Sequence, residues 1–260
     1  MKRAAFVYLL LIGTLACNGI DKSSDSAATQ IEGAKGDSLA LELATKVENA
    51  VGGQENWNKV HYLKFQFFSS RIWYWDKFKN RYRVESLKKG YRIAGTLDGK
   101  ETKLWANGRE ETSPDSIAQY KQLAYEVWIN DTYWLILPFK IKDPGVHLKY
   151  LGPRPIDSLH SATCLEMTFD QVGVTPDNLY HLYVDTTTNH IVYWEYYEHR
   201  TDTVPGLSNV WDHYQQYGPV TLSSGRGERG LKDIAVLDVL PDKLFEDITK
   251  PASEILSSSK

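Results

Sequence analysis

The sequence predicts an α+β fold, a curved and mostly antiparallel sheet that forms an unclosed barrel with a few helices. Three observations predict it. Short segments of strand character recur from residue 60 to residue 239, separated by turn signals such as Asp98-Gly99, Asn107-Gly108 and Pro144-Gly145. Two stretches, 39–51 and 114–130, instead space their apolar residues at the helical period. Several strands carry large apolar residues on both faces, so both faces need cover. Helices can cover one face; a second sheet or a cavity holding a hydrophobic ligand can account for the other.

The chain opens on Lys2 and Arg3, followed by an uncharged run from Ala4 to Leu15 with Leu9-Leu10-Leu11-Ile12 at its centre. That layout is a signal peptide over residues 1–16. The run of about 12 residues is short of the roughly 20 needed to span a bilayer as a helix. Thr14-Leu15-Ala16-Cys17 resembles a lipobox, with Thr14 where Leu is usual, and implies that Cys17 becomes the lipid-bearing first residue of the mature chain. Asn18, not Asp, follows the cysteine, which by resemblance to sorting rules favours the outer membrane, facing the periplasm. Residues 17–38 hold the lipidated cysteine and a tether rich in Ser, Ala, Gly, Asp and Lys, without an aromatic residue. Residues 39–256 then form a single domain, and 257–260 a polar tail.

Within the domain, Asp37 or Ser38 caps the helix of 39–51 and Gly52-Gly53 stops it in the left-handed region. Residues 60–75 read as one long strand, with Leu63, Phe65 and Phe67 on one face and a break at Ser69-Ser70. Strands follow at 81–86, 91–97 and 102–106. The helix of 114–130 comes next, and 134–139 is a separate apolar segment closed by Pro138. Strands resume at 147–151, 162–169, 180–185, 190–199, 211–214, 220–223 and 234–239.

Composition narrows the function. The formal charge of −3 becomes more negative once Lys2 and Arg3 leave with the signal peptide. A mildly acidic domain without a basic stripe argues against nucleic acid as a partner. Cys164 is the one cysteine left after lipidation of Cys17, so no internal disulfide can form. It sits in a strand and reads as a buried structural thiol. The seven histidines show no tight metal-ligand spacing, and Glu195 and His199 on one strand lie about 13 Å apart, too far to share an ion. No Gly-x-Ser-x-Gly elbow is present. Residues 223–227 are Gly-rich but lack a phosphate-loop lysine and read as a mobile connection. Glu110-Glu111 and Asp115 are the acids a hydrolase could use, and adjacent loop acids are usually only solvated. No cofactor is expected.

The aromatic residues are the most unusual feature. The chain has 8 tryptophans and 16 tyrosines, with runs at Trp73-Tyr74-Trp75, Tyr133-Trp134 and Tyr193-Trp194 followed by Tyr196-Tyr197. Aromatics suit both sheet cores and ligand pockets. Trp73, Trp75, Trp105, Trp134 and Trp194 are the candidates for lining a pocket.

From Trp57 to Phe245 the chain resembles an uncharacterised family of lipoproteins from Gram-negative bacteria. The residues that carry the likeness include Gly52-Gly53 with Trp57, Tyr74-Trp75-Asp76, Asn130-Asp131-Thr132-Tyr133-Trp134-Leu135, Asp143-Pro144-Gly145-Val146 and Gly173-Val174-Thr175-Pro176. That family is similar in plan to the periplasmic lipoprotein carriers and receptors, the LolA/LolB-like proteins. The resemblance implies an unclosed antiparallel barrel with helices covering the concave side, and a cavity for acyl chains. It supplies no catalytic residue. The expected function is therefore a lipid-anchored periplasmic binding protein, not an enzyme, whose partners are the membrane, through Cys17, and a lipid or acylated client. The alternatives are a structural or interaction module of the envelope with a filled core, and a hydrolase of glycan or lipid working through loop carboxylates.

Overall fold

A computed structural model describes residues 33–258 apart from residue 171. The expected signal peptide, Cys17, the tether up to residue 32 and the last two residues of the polar tail lie outside the described residues. The described part opens with β1 (Lys35–Gly36), α1 (Ser38–Ala50) and α2 (Gly53–Lys59). Asp37 caps α1, its Oδ1 accepting from the Ala40 N–H at 2.9 Å. Gly52 follows the helix at φ 116°, a conformation that favours glycine, and α2 starts at once. The sequence assigns residues up to 38 to the tether, and the structure departs from that. Lys35 and Gly36 pair in parallel with His147 and Leu148, and the second carboxylate oxygen of Asp37 accepts the Tyr150 N–H at 2.8 Å. A Cβ on Gly36 would lie 2.3 Å from the Leu148 carbonyl oxygen, so the missing side chain is what allows the approach. Two paired residues leave no periodicity to read.

Six strands follow: β2 (Tyr62–Phe67), β3 (Arg71–Asp76), β4 (Arg81–Ser86), β5 (Arg92–Thr96), β6 (Thr102–Ala106) and β7 (Arg109–Glu111). The stretch 60–75, by sequence a long strand broken at Ser69-Ser70, is a tight hairpin that turns at that break. Phe68 takes φ 48° at the turn, and Phe65 faces Trp73 across the pair. After α3 (Pro114–Lys140) come β8 (Val146–Pro155), β9 (Ser161–Phe169), β10 (Leu179–Val184), β11 (Ile191–Tyr197) and β12 (Leu207–Val210). The chain ends with β13 (Asp212–Tyr217), β14 (Val220–Arg226), β15 (Arg229–Gly230), β16 (Lys232–Leu237), α4 (Lys243–Glu246) and α5 (Ala252–Ser257).

The fold is α+β, built on large antiparallel sheets of which none closes into a barrel. One sheet runs β16-β2-β3-β4-β5-β6-β7, another β1-β8-β9-β10-β11-β12, and a third β13-β14-β15. Helix α3 is packed in both main cores. On one side Trp128, Leu135, Ile136 and Phe139 meet Leu63, Phe65, Phe67 and Trp73 of the seven-stranded sheet. On the other, Leu137 and Trp134 meet Leu165, Leu182 and Trp194 of the six-stranded sheet, with Ala40, Ala44 and Val47 of α1. The opposite face of β2 and β3, bearing Tyr62 and Tyr74, is covered by Leu244 and Phe245 of α4 and Ile255 of α5. Arg83 fixes this cover by donating to the backbone carbonyls of Leu244 and Asp247 at 2.9 and 2.7 Å.

Two features of α3 depart from the sequence expectation. The helix is continuous over 27 residues and contains Pro138. Proline cannot donate to the carbonyl four residues back, that of Trp134. Arg226 of β14 supplies the missing donor, its Nη2 bonding that carbonyl. Residues 223–226, expected in a mobile connection, are therefore part of β14, with Ser223 and Arg226 buried. Helix α3 is also tied to the sheet by an ion pair. Asp131, fully buried, accepts Arg71 Nε and Nη2 at 2.6 and 2.7 Å and Trp73 Nε1 at 2.7 Å.

Candidate functional site

A cavity of about 740 Å³ lies between α3, the six-stranded sheet and the loop after β9. Its volume falls within the roughly 300–1,000 Å³ of ordinary small-molecule sites. Helix α3 presents Trp128, Tyr133, Trp134 and Leu137 to it. The side-chain period of a strand turns Phe169, Tyr180, Trp194 and Tyr196 toward the same space, from β9, β10 and β11. Trp211, between β12 and β13, closes one end, and Val146 and Leu207 add aliphatic surface.

The rings hold one another in place. Trp134 meets Trp194 edge to face at 4.7 Å, and Tyr180 stacks on Trp194 at 5.4 Å. Trp194 in turn meets Trp211 edge to face at 6.2 Å. Such pairs prefer these offset geometries and make a rigid wall. Burial holds the phenols of Tyr133 and Tyr180 far above the usual tyrosine range, so the wall stays neutral. Polar groups gather at the edge. Lys140 is salt-bridged to Asp143, the one carboxylate among the described lining residues. Asn178 donates to the Tyr196 hydroxyl at 3.2 Å and to the Glu198 carbonyl at 2.8 Å. Val172 and Val174 stand at the rim, 41% and 39% exposed.

Of the five tryptophans singled out in the sequence, Trp75, Trp134 and Trp194 line this cavity. Trp73 does not; it is fully buried beside Trp128 and spends its indole N–H on Asp131. Trp105 does not either. It lies on the other face of its strand from buried Leu104, under the Arg92 guanidinium at 4.6 Å. Tyr180 and Trp211 are not among the sequence candidates, and Tyr133 enters there only as part of an aromatic run. The alternation of Tyr180 with Leu182 carries a trace of that signal, whereas Trp211 sits between two short strands whose facing no pattern gives.

The other candidate chemistries are elsewhere. Cys164 is buried against Tyr183 on the far face of the six-stranded sheet, and burial pushes its thiol up to about 12. On that same face Glu166, His181 and Glu195 lie in register across β9, β10 and β11. His181 Nδ1 is 3.1 Å from Glu195, which also accepts the Tyr183 and Tyr197 hydroxyls at 3.1 and 3.0 Å. This cluster closes on itself. Among the described residues no three His, Cys, Asp or Glu side chains are placed to hold a metal ion. Glu111 is engaged by Arg109 at 2.7 Å, and neither it nor Glu110 or Asp115 lines the cavity. Among the described residues no helix is long and apolar enough to cross a membrane.

No family model matches the sequence, and no curated protein does. Among solved structures, the chain is similar to a DUF1329 family protein from Desulfovibrio piger, at 12% identity and a TM-score of 0.45, over 79% of this chain and 95% of that one. It is also similar to a domain described as an outer membrane lipoprotein-sorting protein from Vibrio parahaemolyticus, at 10% identity and a TM-score of 0.39, over 82% of this chain and 99% of that one. Likenesses this distant assign no role to any residue of this chain, and the site is argued on its own geometry.

Proposed function

We propose that this chain is a lipid-anchored periplasmic binding protein that holds an acyl chain, as lipid or as the acylated part of a client, without covalent chemistry. The observation that carries the proposal is the aromatic-walled cavity along α3. Its lining is mostly apolar, and its rings are fixed by one another before any ligand arrives. Each methylene moved from water into such a space contributes ~0.8 kcal/mol, and a preformed wall keeps the ordering cost low. In this proposal Cys17 bears the anchor, which keeps the cavity within reach of the outer membrane. Several acyl chains on one residue hold a protein there stably, where one would not.

Native mass spectrometry of delipidated, tag-free protein against a panel of phospholipids and fatty acids tests this. The proposal expects adducts of one lipid mass that disappear when Leu137 is replaced by a bulky Trp. Absence of uptake across the panel would overturn it and leave the structural or interaction module as the better account.

A further inference from the structure

The cavity wall has an imbalance that a plain hydrocarbon would not satisfy. Among the described residues the buried indole N–H groups of Trp75, Trp194 and Trp211 have no hydrogen-bond partner, and all three side chains line the cavity. Buried donors of this kind are rare in folded proteins, and each calls for an explanation. Behind the wall lies a fourth. Arg226 is 1% exposed, and its guanidinium lies 3.5 Å from the centre of the Trp211 ring. Its Nη1 donates to Ser223 Oγ at 2.8 Å and to the Gly225 carbonyl, and its Nη2 to the Trp134 carbonyl. Its Nε has no partner among the described residues.

Every partner of Arg226 is neutral. Among the described residues no carboxylate forms an ion pair with it. Asp212, whose charge reaches it, is half-exposed and lies instead 3.9 Å from His213. A guanidinium does not lose its proton to escape burial, so a full positive charge stands one indole away from the cavity with no carboxylate paired to it among the described residues. Positive potential thus stands behind the wall at Trp211, and the unpartnered indole N–H groups of Trp194 and Trp211 lie within the same wall.

We propose that the ligand of this cavity is an anionic amphiphile, a long-chain carboxylate whose acyl chain lies along α3 and whose head group seats at Trp211, facing the field of Arg226. The inference rests on the acyl-binding proposal above and narrows it. The carboxylate supplies the counter-charge that Arg226 lacks, and small turns of the neighbouring Trp194 and Trp211 rings bring their orphan N–H groups to it. An alcohol or methyl ester of the same chain length fills the same space without that charge.

The test uses the full chain carrying Cys17→Ser, delipidated, with Nile red as a neutral reporter of the cavity. Hexadecanoic acid and hexadecan-1-ol compete for displacement at pH 8. The acid is expected to displace the dye at a roughly tenfold lower concentration, the order set by one charge pair across a few ångströms of protein. Arg226→Gln should bring acid and alcohol together, and Arg226→Lys should keep part of the difference. Trp211→Phe, which keeps an aromatic ring and removes only the N–H donor, should weaken the acid more than the alcohol, whose hydroxyl accepts a hydrogen bond without carrying charge. Should Arg226→Gln fail to fold, the Lys and Phe variants carry the test. Equal displacement by acid and alcohol in the parent protein overturns the anionic ligand and leaves acyl binding standing. A preference that survives Arg226→Gln overturns the role of Arg226. If Nile red is neither bound nor displaced, the acyl-binding proposal falls, and this inference with it.

Discussion

Replacing Asp131 with Ala should be among the most damaging single changes in the molecule. The side chain is fully buried where α3 crosses the seven-stranded sheet. Its carboxylate receives two parallel bonds from Arg71 at 2.6 and 2.7 Å and one from Trp73 Nε1 at 2.7 Å. Two losses follow its removal. The Trp73 indole N–H, on a residue with no exposure, is left without an acceptor, at about 1–3 kcal/mol. Arg71, whose side chain is only 18% exposed, keeps a largely buried and unmatched charge. Breaking a buried pair from one side costs ~3–5 kcal/mol in total, a large share of the roughly 5–15 kcal/mol that holds a domain folded. Urea unfolding followed by tryptophan fluorescence reads the loss as a lower midpoint at unchanged slope. Glu42→Ala is the control, because the Glu42–Lys46 pair is 2.7 Å long but more than half exposed. It should leave the urea midpoint essentially unchanged. The double change Asp131→Leu with Arg71→Met should recover part of the loss, since matched apolar groups leave no bare charge. If Asp131→Ala shifts the midpoint no more than the control does, the buried pair does not fasten α3 to the sheet.

Further outcomes follow from burial. Burial pushes the phenols of Tyr74 and Tyr82 up to about 12 and those of Tyr180 and Tyr214 higher still, above the unfolded value near 10. Their folded-state preference for the proton is fully present below pH 10 and lost as pH rises, so the urea midpoint should fall from about pH 10 upward; a midpoint flat to pH 12 contradicts it. Cys164 in the Cys17→Ser chain should resist an aromatic disulfide reagent at pH 8 and react fully in denaturant, because its thiol is buried and pushed up to about 12. Fast labelling of the native protein would refute that placement. Cys17→Ser itself should move the protein from the membrane fraction to the soluble fraction, and continued lipidation would remove the anchor from the account.

Much of the sheet was legible because strands declare themselves locally. Leu63, Phe65 and Phe67 alternate onto one face as expected, and Asn107-Gly108 turns with both residues at positive φ. What stayed hidden depends on partners distant in the chain. Pro138 marks a helix end by any local rule, and the helix continues because Arg226, far along the sequence, bonds the carbonyl that proline leaves free. The β1 pairing rests on two residues and a missing Cβ at Gly36. The cavity was legible only in part for the same reason. Aromatic runs single out Trp75, Trp134 and Trp194, but which ring faces outward, as Trp105 does, depends on strand register. The two-faced strands did carry information: the second face of β3 is covered by α4 and α5, and on that of β11 Tyr193 packs edge to face beside Tyr183 of the neighbouring strand.

The most direct test of the acyl-binding proposal is a crystal structure of the delipidated protein soaked with a fatty acid brominated along its chain. The account predicts anomalous bromine peaks in the space between α3 and strands β9 to β11, within contact of Trp134 and Trp194. Peaks confined to the outer surface, or none in a crystal that keeps the cavity open, would contradict it.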